Sequence, residues 1–395
     1  MLTVVLLAAG DPFHRHIGRL KSEGYMTIAV DRDPAAKGRN EADAFVAASI
    51  TDVDAIVGTA RKFNADVIVA LTEAGVRSAA EASALLQLPG LPVDVAEAAT
   101  DKSKMRARWL ASGLNQPSFI VVNRLEDARE AVAQIGIPCV VKPTRAWSSR
   151  GVSVVSSAEG AESALRHAFD VHGGPIIVET FIPGRLLTAE GFASDGEAEV
   201  IAMGDVDTQE SDRHRVNMSL QYPANFDRRV VEEANILIAN AALSLGLRRS
   251  PFHCECMVSD QGVQLIEMAA RGGGGHIFPV LYEPMVGYSG IVRQVALLLG
   301  KETEEFARPL LRGGCYRFFS APDGIIERVE GVDVASKMPG VLDLGVAIKP
   351  GERGGVVTHD NARHGHVCTV GSDRDTALVY AKAAERQLTF YVSEK

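Results

Sequence analysis

Two strand-like segments of this 395-residue sequence each carry a glutamate: FHCECMV at 252–258 and VQLIEMA at 263–269, joined by the turn SDQG. If the last three residues of that turn form a loop ending in a left-handed Gly262, the two segments form a hairpin. The antiparallel register of that hairpin then places Glu255 directly across from Glu267. The spacing therefore predicts two carboxylates side by side on one face of a sheet.

Such a carboxylate pair predicts a particular kind of ligand. Two carboxylates this close repel each other unless a cation lies between them. Oxygen-only ligands suit Mg²⁺ or Mn²⁺, which usually also bind waters and phosphate oxygens. The alternative is that one glutamate points to solvent, because a register shift of one residue turns a side chain to the other face.

An arginine and four glycines, Arg271 and Gly272–Gly275, follow the second strand directly. Backbone N–H groups of glycines can form an anion-binding concavity, and a guanidinium adds a planar fork for phosphate or carboxylate. A mobile linker is the alternative for the glycines. Their position between a strand and the apolar segment HIFPVLY favours a site that brings backbone close to a charged ligand.

Two lysines precede these motifs. Lys142 ends the strand-like run PCVVK just before the loop AWSSRG, and Lys102 lies in TDKSK at the start of a helical segment. A triphosphate carries about four negative charges, which two lysines and a metal can offset. Either lysine alone is more typical of a solvated surface, but their order with the carboxylate pair favours a nucleotide site.

Composition excludes several classes of protein. The formal charge of -9 and the lack of a basic stripe argue against nucleic-acid binding. The apolar start MLTVVLLAAGDPF follows no basic segment and is too short to span a membrane, so we expect a buried first strand and no membrane partner. Five scattered cysteines indicate a reducing, cytoplasmic setting, and the spacing of Cys254 and Cys256 is wrong for zinc.

Strands and helices alternate over the first ninety-odd residues, which predicts a parallel, doubly wound sheet. The first turn, AAGDPF, lacks the G-x-G-x-x-G pattern, so Asp31 is interpreted as a polar strand-end cap rather than a nicotinamide ligand. The Pro/Gly-rich LPGLPVD at 88–94 marks a boundary. After about residue 311 the chain is rich in strands and turns and then forms one helix, DRDTALVYAKAAERQL.

The order of these segments resembles the ATP-grasp superfamily of carboxylate–amine ligases over nearly the whole chain. The segments are TDKSKMRARWLASGLNQP, IPCVVKPTRAWSSRGVSVV, IIVETFIPGR, FHCECM and LIEMAARGGGGHI. Within the superfamily the chain is most similar to the L-amino acid ligases, which make dipeptides and related amides. The resemblance implies a fold of the α/β and α+β classes: a Rossmann-like (pre-ATP-grasp) substrate domain at 1–95, a small central ATP-grasp subdomain at 96–185, a large subdomain with the metal site at 186–310, and a small C-terminal α+β domain at 311–395.

The same resemblance implies roles for single residues. Arg271 would hold the reacting acyl phosphate, with Gly274 beside it, and Glu255 and Glu267 would bind Mg²⁺ or Mn²⁺. The residues expected to bind ATP are Lys102, Lys142, Ser148, Ser149, Gly151, Glu179, Thr180, Phe181, Ile182 and Glu190. Glu190 stands in for a glutamate that relatives often show nearer the Pro-Gly of the adenine strand, where this chain has Leu186 and Leu187. Ala269 replaces an asparagine that many relatives use as an extra metal ligand.

Candidate substrate contacts are less sharply defined. Glu73 follows a strand of the first sheet and could bind a substrate ammonium, or equally cap a helix. His214 and Arg215, in QESDRHRVN, could meet a substrate carboxylate, or lie in a solvated loop. Gly273 and His276 complete the expected set. The histidines of HDNARHGHV (359–367) have no fixed helical spacing, so a metal site is not expected there.

These inferences predict an ATP-dependent ligase that joins a carboxylate, expected to belong to an amino acid, to an amine through an acyl phosphate, releasing ADP and phosphate. The partners are small molecules, and the resemblance allows a homodimer. One alternative is a purine-biosynthesis ligase that acts on formate or bicarbonate and a ribonucleotide amine. Another is a non-catalytic nucleotide-binding regulator, against which the presence of both lysines, both glutamates and Arg271 argues.

Overall fold

The computed structural model describes residues 1–146, 150–210, 215–301, 306, 309–357 and 362–393. The chain begins with a parallel sheet in the order β3-β2-β1-β4. Its strands are β1 (Thr3–Leu7), β2 (Met26–Asp31), β3 (Ala44–Ala47) and β4 (Val67–Ala70), and its helices are α1 (His14–Ser22), α2 (Val53–Lys62) and α3 (Val76–Leu86). The predicted doubly wound alternation is confirmed, although β3 was not foreseen. Asp31 accepts hydrogen bonds from the backbone N–H groups of Ala9 and Asp33, as a strand-end cap does.

A second, antiparallel sheet follows two helices. The helices are α4 (Val93–Ala99) and α5 (Lys102–Ala111), and the sheet has the order β5-β8-β6-β7. Its strands are β5 (Phe119–Val122), β6 (Cys139–Pro143), β7 (Ser153–Val155) and β8 (Ile176–Thr180), with α6 (Ala128–Ile135) and α7 (Ala158–His172) between them. The Asp101 carboxylate accepts the N–H of Ser103 and so caps α5, which fixes where Lys102 begins the helix.

The largest sheet has the order β13-β12-β9-β10-β11-β14-β18-β16. Its strands are β9 (Arg185–Ala193), β10 (Ala198–Glu210), β11 (Arg215–Tyr222), β12 (Ser250–Ser259), β13 (Gly262–Ala269), β14 (Gly313–Phe319), β16 (Val341–Val346) and β18 (Gly365–Gly371). Three further helices are α8 (Arg228–Ser244), α9 (Tyr282–Val286) and α10 (Gly290–Leu298). Strands from the C-terminal part of the chain thus extend the same sheet that carries the two glutamates.

The remaining C-terminal elements form a small sheet and two helices. The sheet has the order β17-β15-β19, and its strands are β15 (Gly324–Glu330), β17 (Arg353–Gly354) and β19 (Thr389–Ser393). The helices are α11 (Val332–Ala335) and α12 (Arg374–Glu385). Asp373 caps α12 by accepting the N–H of Thr376, and α12 confirms the helix predicted in the segment beginning DRDTAL.

One hydrophobic core positions the helix that carries Lys102. Trp109 on α5 is fully buried against α8 and donates its indole N–H to the carbonyl oxygen of Ala241 at 3.2 Å. Met105, one turn earlier, packs in the same cluster, and its sulfur accepts the N–H of Met268 on β13 at 3.4 Å. Because β13 and the first turn of α5 share this core, Lys102 and Glu267 are brought together. No described helix is long and apolar enough to cross a lipid bilayer.

Candidate active site

The two glutamates lie opposite each other on neighbouring strands. The register of β12 and β13 pairs Glu255 with Glu267, which confirms the predicted pairing, and both side chains line the same cavity. The turn differs from the one expected. Ser259 pairs with Gly262, so the loop has two residues rather than three, and a β-bulge at Ile266 restores the register one residue before the glutamate. Gly262 has the predicted positive φ, +88°.

Lys102 is bound to one of these carboxylates. Its Nζ lies 2.9 Å from Glu267 Oε1 and also donates to the carbonyl oxygen of Ala146 at 2.8 Å. The lysine side chain is only 7% exposed, so its charge is directed at the site rather than at solvent. Burial alone would raise the pKa of Glu267, but the charges of Lys102, Lys142 and Arg271 lower it. The carboxylate is therefore ionised and available to a cation.

Lys142 belongs to a buried ion triad. Its Nζ lies 2.6 Å from Glu179 Oε2, and Arg106 Nε lies 2.6 Å from the other oxygen, Oε1. Burial alone would raise the pKa of Glu179, but the charges of Arg106 and Lys142 hold it down at about 2. Burial and the neighbouring cations lower the pKa of Lys142. The Glu179 carboxylate, which is expected to contact ATP, uses both oxygens to bind two cations in this structure.

Arg106 was not predicted from the sequence to belong to the site, although its guanidinium makes several contacts there. Besides Glu179, its guanidinium donates to the carbonyl oxygens of Leu265 (3.3 Å) and Ile266 (2.8 Å). These are the residues at the bulge just before Glu267. Arg106 therefore ties α5, β8 and β13 together around the two lysines. Its only signal in the sequence is its spacing of four residues from Lys102.

The first cavity, which we call the nucleotide cavity, has a volume of about 260 Å³ and lies between the antiparallel sheet and the largest sheet. Its walls are apolar, and its polar end carries the lysines and glutamates described above. The apolar walls include Val140, Val154, Leu186, Met257 and Ile266, and the expected residues Thr180, Phe181 and Ile182 also line it. An apolar slot that ends in cations and paired carboxylates fits a flat base with a phosphate chain.

Parts of the expected phosphate loop can be placed. Ser148 and Ser149 lie outside the described residues, as do His214 and His359. Gly151 has a φ of +74°, and a Cβ there would lie 2.8 Å from Pro143 Cγ, so the end of the loop requires glycine. Arg215 begins β11, but its side chain is not among those described.

Arg271 and Glu73 form an ion pair beside the paired carboxylates. Arg271 Nε lies 3.0 Å from Glu73 Oε2, and the guanidinium also donates to the carbonyl oxygen of Gly272 at 2.8 Å. Burial raises the pKa of Glu73, while the charge of Arg271 opposes that rise. Glu73 follows β4 of the N-terminal sheet, and Arg271 follows β13. Both line a second cavity of about 360 Å³, which we call the glycine cavity.

The four glycines do not act alike. Gly274 and Gly275 line the glycine cavity, and Gly275 has a φ of +58°. A Cβ at Gly272 would lie 2.1 Å from the ring of Phe278, so that glycine allows close packing. Gly273 donates its N–H to Glu190 Oε2 at 2.8 Å, and a Cβ there would lie 2.5 Å from Oε1 of the same residue. The Gly273 amide is therefore bound by Glu190 in this structure, and its expected contact with substrate stays a prediction.

The side chain of Glu190 has protein partners that were not predicted from the sequence. It is 1% exposed, and it binds His253 Nδ1 at 2.6 Å through the oxygen that does not accept from Gly273. It does not line the described nucleotide cavity. In this structure the buried carboxylate supports the glycine run, and its expected contact with ATP stays a prediction.

His253, which precedes Glu255 by two residues on β12, also contributes to the site. Burial alone would lower its pKa, but the charge of Glu190 raises the pKa of His253 to about 10. The imidazolium lines the glycine cavity, and its Nε2 lies 3.9 Å from Glu255 Oε1. The alternation His-Cys-Glu on β12 places residues 253 and 255 on one face, which is the signal that could have found it.

A third cavity of about 330 Å³, the N-terminal cavity, lies on the other side of Glu73. It is lined by Arg77 and Arg145 as well as by Lys102 and Glu267. Glu267 thus lines all three cavities, and Glu73 lines two of them. The three cavities therefore meet at Glu267.

His276, the remaining expected substrate contact, points elsewhere. Its ring stacks near His366 and Tyr316 and approaches Asp343, and it is absent from the linings of the three cavities described above. Its expected contact with substrate stays a prediction.

Comparison with known proteins agrees with this geometry. The ATP-grasp domain family matches residues 135–280, and the family described as L-amino acid ligase C-terminal domain 2 matches residues 317–393. The crystal structure of an L-amino acid ligase from Bacillus licheniformis superposes with a TM-score of 0.83 over 100% of this chain and 99% of that one, at 20% identity. The chain therefore has the ATP-grasp fold.

Two curated relatives cover part of the chain. An alanine–anticapsin ligase of Bacillus subtilis (strain 168) is 31% identical over 255 residues, 58% of this chain and 52% of the relative. A formate-dependent phosphoribosylglycinamide formyltransferase of Burkholderia thailandensis is 34% identical over 188 residues, 45% of this chain and 46% of the relative. The chain thus spans about half the length of these relatives.

Proposed function

We propose that this chain, which carries an ATP-grasp domain and an L-amino acid ligase C-terminal domain, is an ATP-dependent ligase that joins the carboxylate of an amino acid to an amine. The observation that carries the proposal is the position of Glu267 at the meeting point of three cavities, next to Glu255, Lys102 and Arg271. ADP and phosphate are the by-products.

The nucleotide cavity holds ATP in this proposal. Its apolar walls enclose the adenine, and the N–H groups of Thr180 and Phe181 are already donated to Ser118 and Pro138. In this proposal, adenine therefore forms its hydrogen bonds with other backbone groups of residues 179–182. Lys102 and Lys142 stand at the phosphate end, where their charges stabilise a transferring phosphoryl group.

The residues present fit Mg²⁺ at the carboxylate pair. Glu255 and Glu267 offer oxygen ligands on one face, and Lys102 supplies a positive charge to Glu267 in this structure. When held by these two glutamates, Mg²⁺ would supply positive charge that offsets the charge of the transferring phosphate. Ala269, in place of an asparagine, adds no ligand.

The acid is activated next to Arg271. Phosphoryl transfer from ATP to a carboxylate gives an acyl phosphate and ADP, and attack of an amine on the acyl carbon then releases phosphate. Arg271 and the backbone of Gly274 and Gly275 line the place where this charge develops. The imidazolium of His253 adds a second fixed positive charge to the same cavity. Glu73, between two cavities, is placed to bind an ammonium.

A purine-type ligase is the second candidate, which the relative from Burkholderia thailandensis favours. Such an enzyme needs a cationic patch for a ribonucleotide phosphate in the N-terminal part. Arginines of the N-terminal part that could contribute to such a patch are Arg15, Arg19 and Arg77. Arg15 pairs with Asp343 and Arg19 with Glu283, whereas Arg77 lines the N-terminal cavity, so the three arginines do not converge. We therefore favour amino acid substrates.

Two broader features complete the proposal. All five cysteines are buried and free, which fits a reducing compartment such as the cytoplasm. We also propose the four-part division at residues 95, 185 and 310 and a homodimer, both of which rest on the resemblance to amino acid ligases.

The test is ADP release from ATP and Mg²⁺ with all pairs of the common amino acids, compared with formate or bicarbonate plus glycinamide ribonucleotide or aminoimidazole ribonucleotide. The proposal expects turnover that requires two amino acids, and an amide product of matching mass. Turnover with a ribonucleotide and none with any amino acid pair would reject it.

A further inference from the structure

A cluster of metal-binding side chains lies outside the active site. It consists of His276, just after the glycine run, Asp343 on β16 and His366 on β18, and one potential ligand atom from each lies within 4.8 Å of the others. His366 Nε2 lies 2.8 Å from Asp343 Oδ2, and His276 Nε2 lies 3.3 Å from the same oxygen. All three side chains are at most 22% exposed.

The local backbone is shaped to admit these rings. β16 pairs Gly345 with His366, and a Cβ at position 345 would lie 2.6 Å from Cε1 of that imidazole. Asp343, two residues along the strand, faces the same side of the sheet. Because Gly345 has no side chain, the His366 ring on β18 can contact the Asp343 carboxylate on the neighbouring strand β16.

Groups around the cluster orient the donors. Arg15 on α1 pairs with Asp343 Oδ1, which turns the other oxygen toward both imidazoles. The hydroxyl of Tyr316 lies 3.1 Å from His276 Nδ1, a contact that holds the ring with Nε2 directed at Asp343.

We propose that His276, Asp343 and His366 form a binding site for one transition-metal dication, Zn²⁺ in the first instance. Two imidazole nitrogens and one carboxylate oxygen suit zinc and its neighbours, whereas the oxygen-only pair at Glu255 and Glu267 suits Mg²⁺. Donors about 2.1 Å from a tetrahedral zinc lie about 3.4 Å apart, which the cluster reaches with small adjustments. This site is independent of the proposed ligase activity.

Such a metal would join parts of the chain that are distant in sequence. His276 adjoins Gly275, whose added Cβ would lie 3.1 Å from the Tyr316 hydroxyl, and Tyr316 itself lines the glycine cavity. A bound ion would therefore hold the end of the glycine run against β16 and β18. We expect it to raise thermal stability and to stiffen one wall of that cavity.

The test is calorimetric titration of the chelator-treated full chain with ZnCl₂, in excess Mg²⁺ and without nucleotide. We expect one zinc per chain. His366→Gln and Asp343→Asn should each weaken binding by at least about tenfold, and Tyr316→Phe by about tenfold. The exposed His167→Gln is the control for surface histidines, and the double variant Glu255→Gln/Glu267→Gln should bind zinc as the wild type does.

A second readout needs no variant. Co²⁺ in a four-coordinate nitrogen and oxygen site absorbs visible light far more strongly than octahedral Co²⁺, so the wild-type chain should show intense bands that Zn²⁺ removes. Absence of those bands, or zinc binding that survives His366→Gln but is lost with the two active-site glutamates, would overturn the proposal. Thermal melting of the metal-free variants identifies any that fail to fold.

Discussion

Lys102 Nζ lies 2.9 Å from Glu267 Oε1, and the two residues come from different elements, the first turn of α5 and the end of β13. The lysine is nearly fully buried. Lys102 therefore places a positive charge beside the carboxylate pair, where we propose that a metal and the phosphate chain bind. The predictions below test what this arrangement does.

Glu267→Gln should abolish ATP turnover while the fold is retained, because the amide keeps the shape of the side chain but removes the charge. Lys102 keeps its hydrogen bond to the carbonyl oxygen of Ala146, which limits the structural cost. ADP release and thermal melting would be measured together. A folded variant with wild-type turnover at ordinary Mg²⁺ would remove Glu267 from the metal site.

Lys142→Ala should weaken nucleotide binding and also lower stability, because Glu179 then keeps only Arg106 as its partner. Loss of a charge-assisted contact predicts a cost of about 1–3 kcal/mol for each property. Glu179→Gln offers a matched background. In that background, removal of Lys142 should lower the stability by less than it does in the wild type, but it should weaken nucleotide binding by the same factor. Equal nucleotide affinity with and without the lysine would show that the role of Lys142 is purely structural.

Arg271→Lys should lower kcat more than it raises the KM for ATP, since the guanidinium acts on charge that appears as the reaction proceeds. A point charge cannot replace a planar two-pronged donor. Steady-state kinetics would be compared with Glu73→Gln, which removes the partner of Arg271 but leaves the arginine in place. An effect of Arg271→Lys confined to KM would contradict this role.

Alanine at Gly273 and at Gly274 should have different effects. At Gly273 the new Cβ meets Glu190 Oε1 at 2.5 Å, so Gly273→Ala should lower the melting temperature. At Gly274 the nearest atom is Arg271 Nη1 at 3.6 Å, so Gly274→Ala should fold normally and lose activity by filling the cavity. Normal turnover by a folded Gly274→Ala would show that this glycine does not face the reaction.

The Glu190–His253 pair should stabilise the fold in a pH-dependent way. The pKa of His253 is raised from 6.5 to about 10, so its contribution is fully present below pH 6.5 and is lost as the pH rises through 10. The difference in melting temperature between wild type and His253→Gln should therefore shrink from neutral pH to pH 10. A difference that is constant over this range would contradict the charged pair.

The sequence predicted the local features of the site better than the long-range ones. The pairing of Glu255 with Glu267 followed from strand alternation, yet it was reached through a three-residue loop that does not exist. A two-residue loop and a bulge at Ile266 give the same result. Bulges depend on neighbours such as Arg106, which donates to the carbonyl oxygens at that point, and the sequence does not reveal such contacts.

Glu190 and His276 show which side-chain partners the sequence did not reveal. Glu190 was assigned to the nucleotide by analogy of position, but the side-chain direction on β9 turns it to His253 and Gly273. His276 was assigned to substrate because it adjoins the glycines. Its partners Asp343 and His366 lie some seventy to ninety residues later in the chain, and only the sheet that joins β16 and β18 brings them together.

The most direct test of the central claim is capture of the acyl phosphate. Wild-type protein and Glu267→Gln would be incubated with ATP, Mg²⁺, each amino acid and hydroxylamine, and the hydroxamate measured by mass spectrometry alongside ADP. The account predicts an amino acid hydroxamate in amounts equal to the ADP released, and none from Glu267→Gln. ADP release by the wild type without any hydroxamate, or equal hydroxamate from both proteins, would contradict ligation at Glu267.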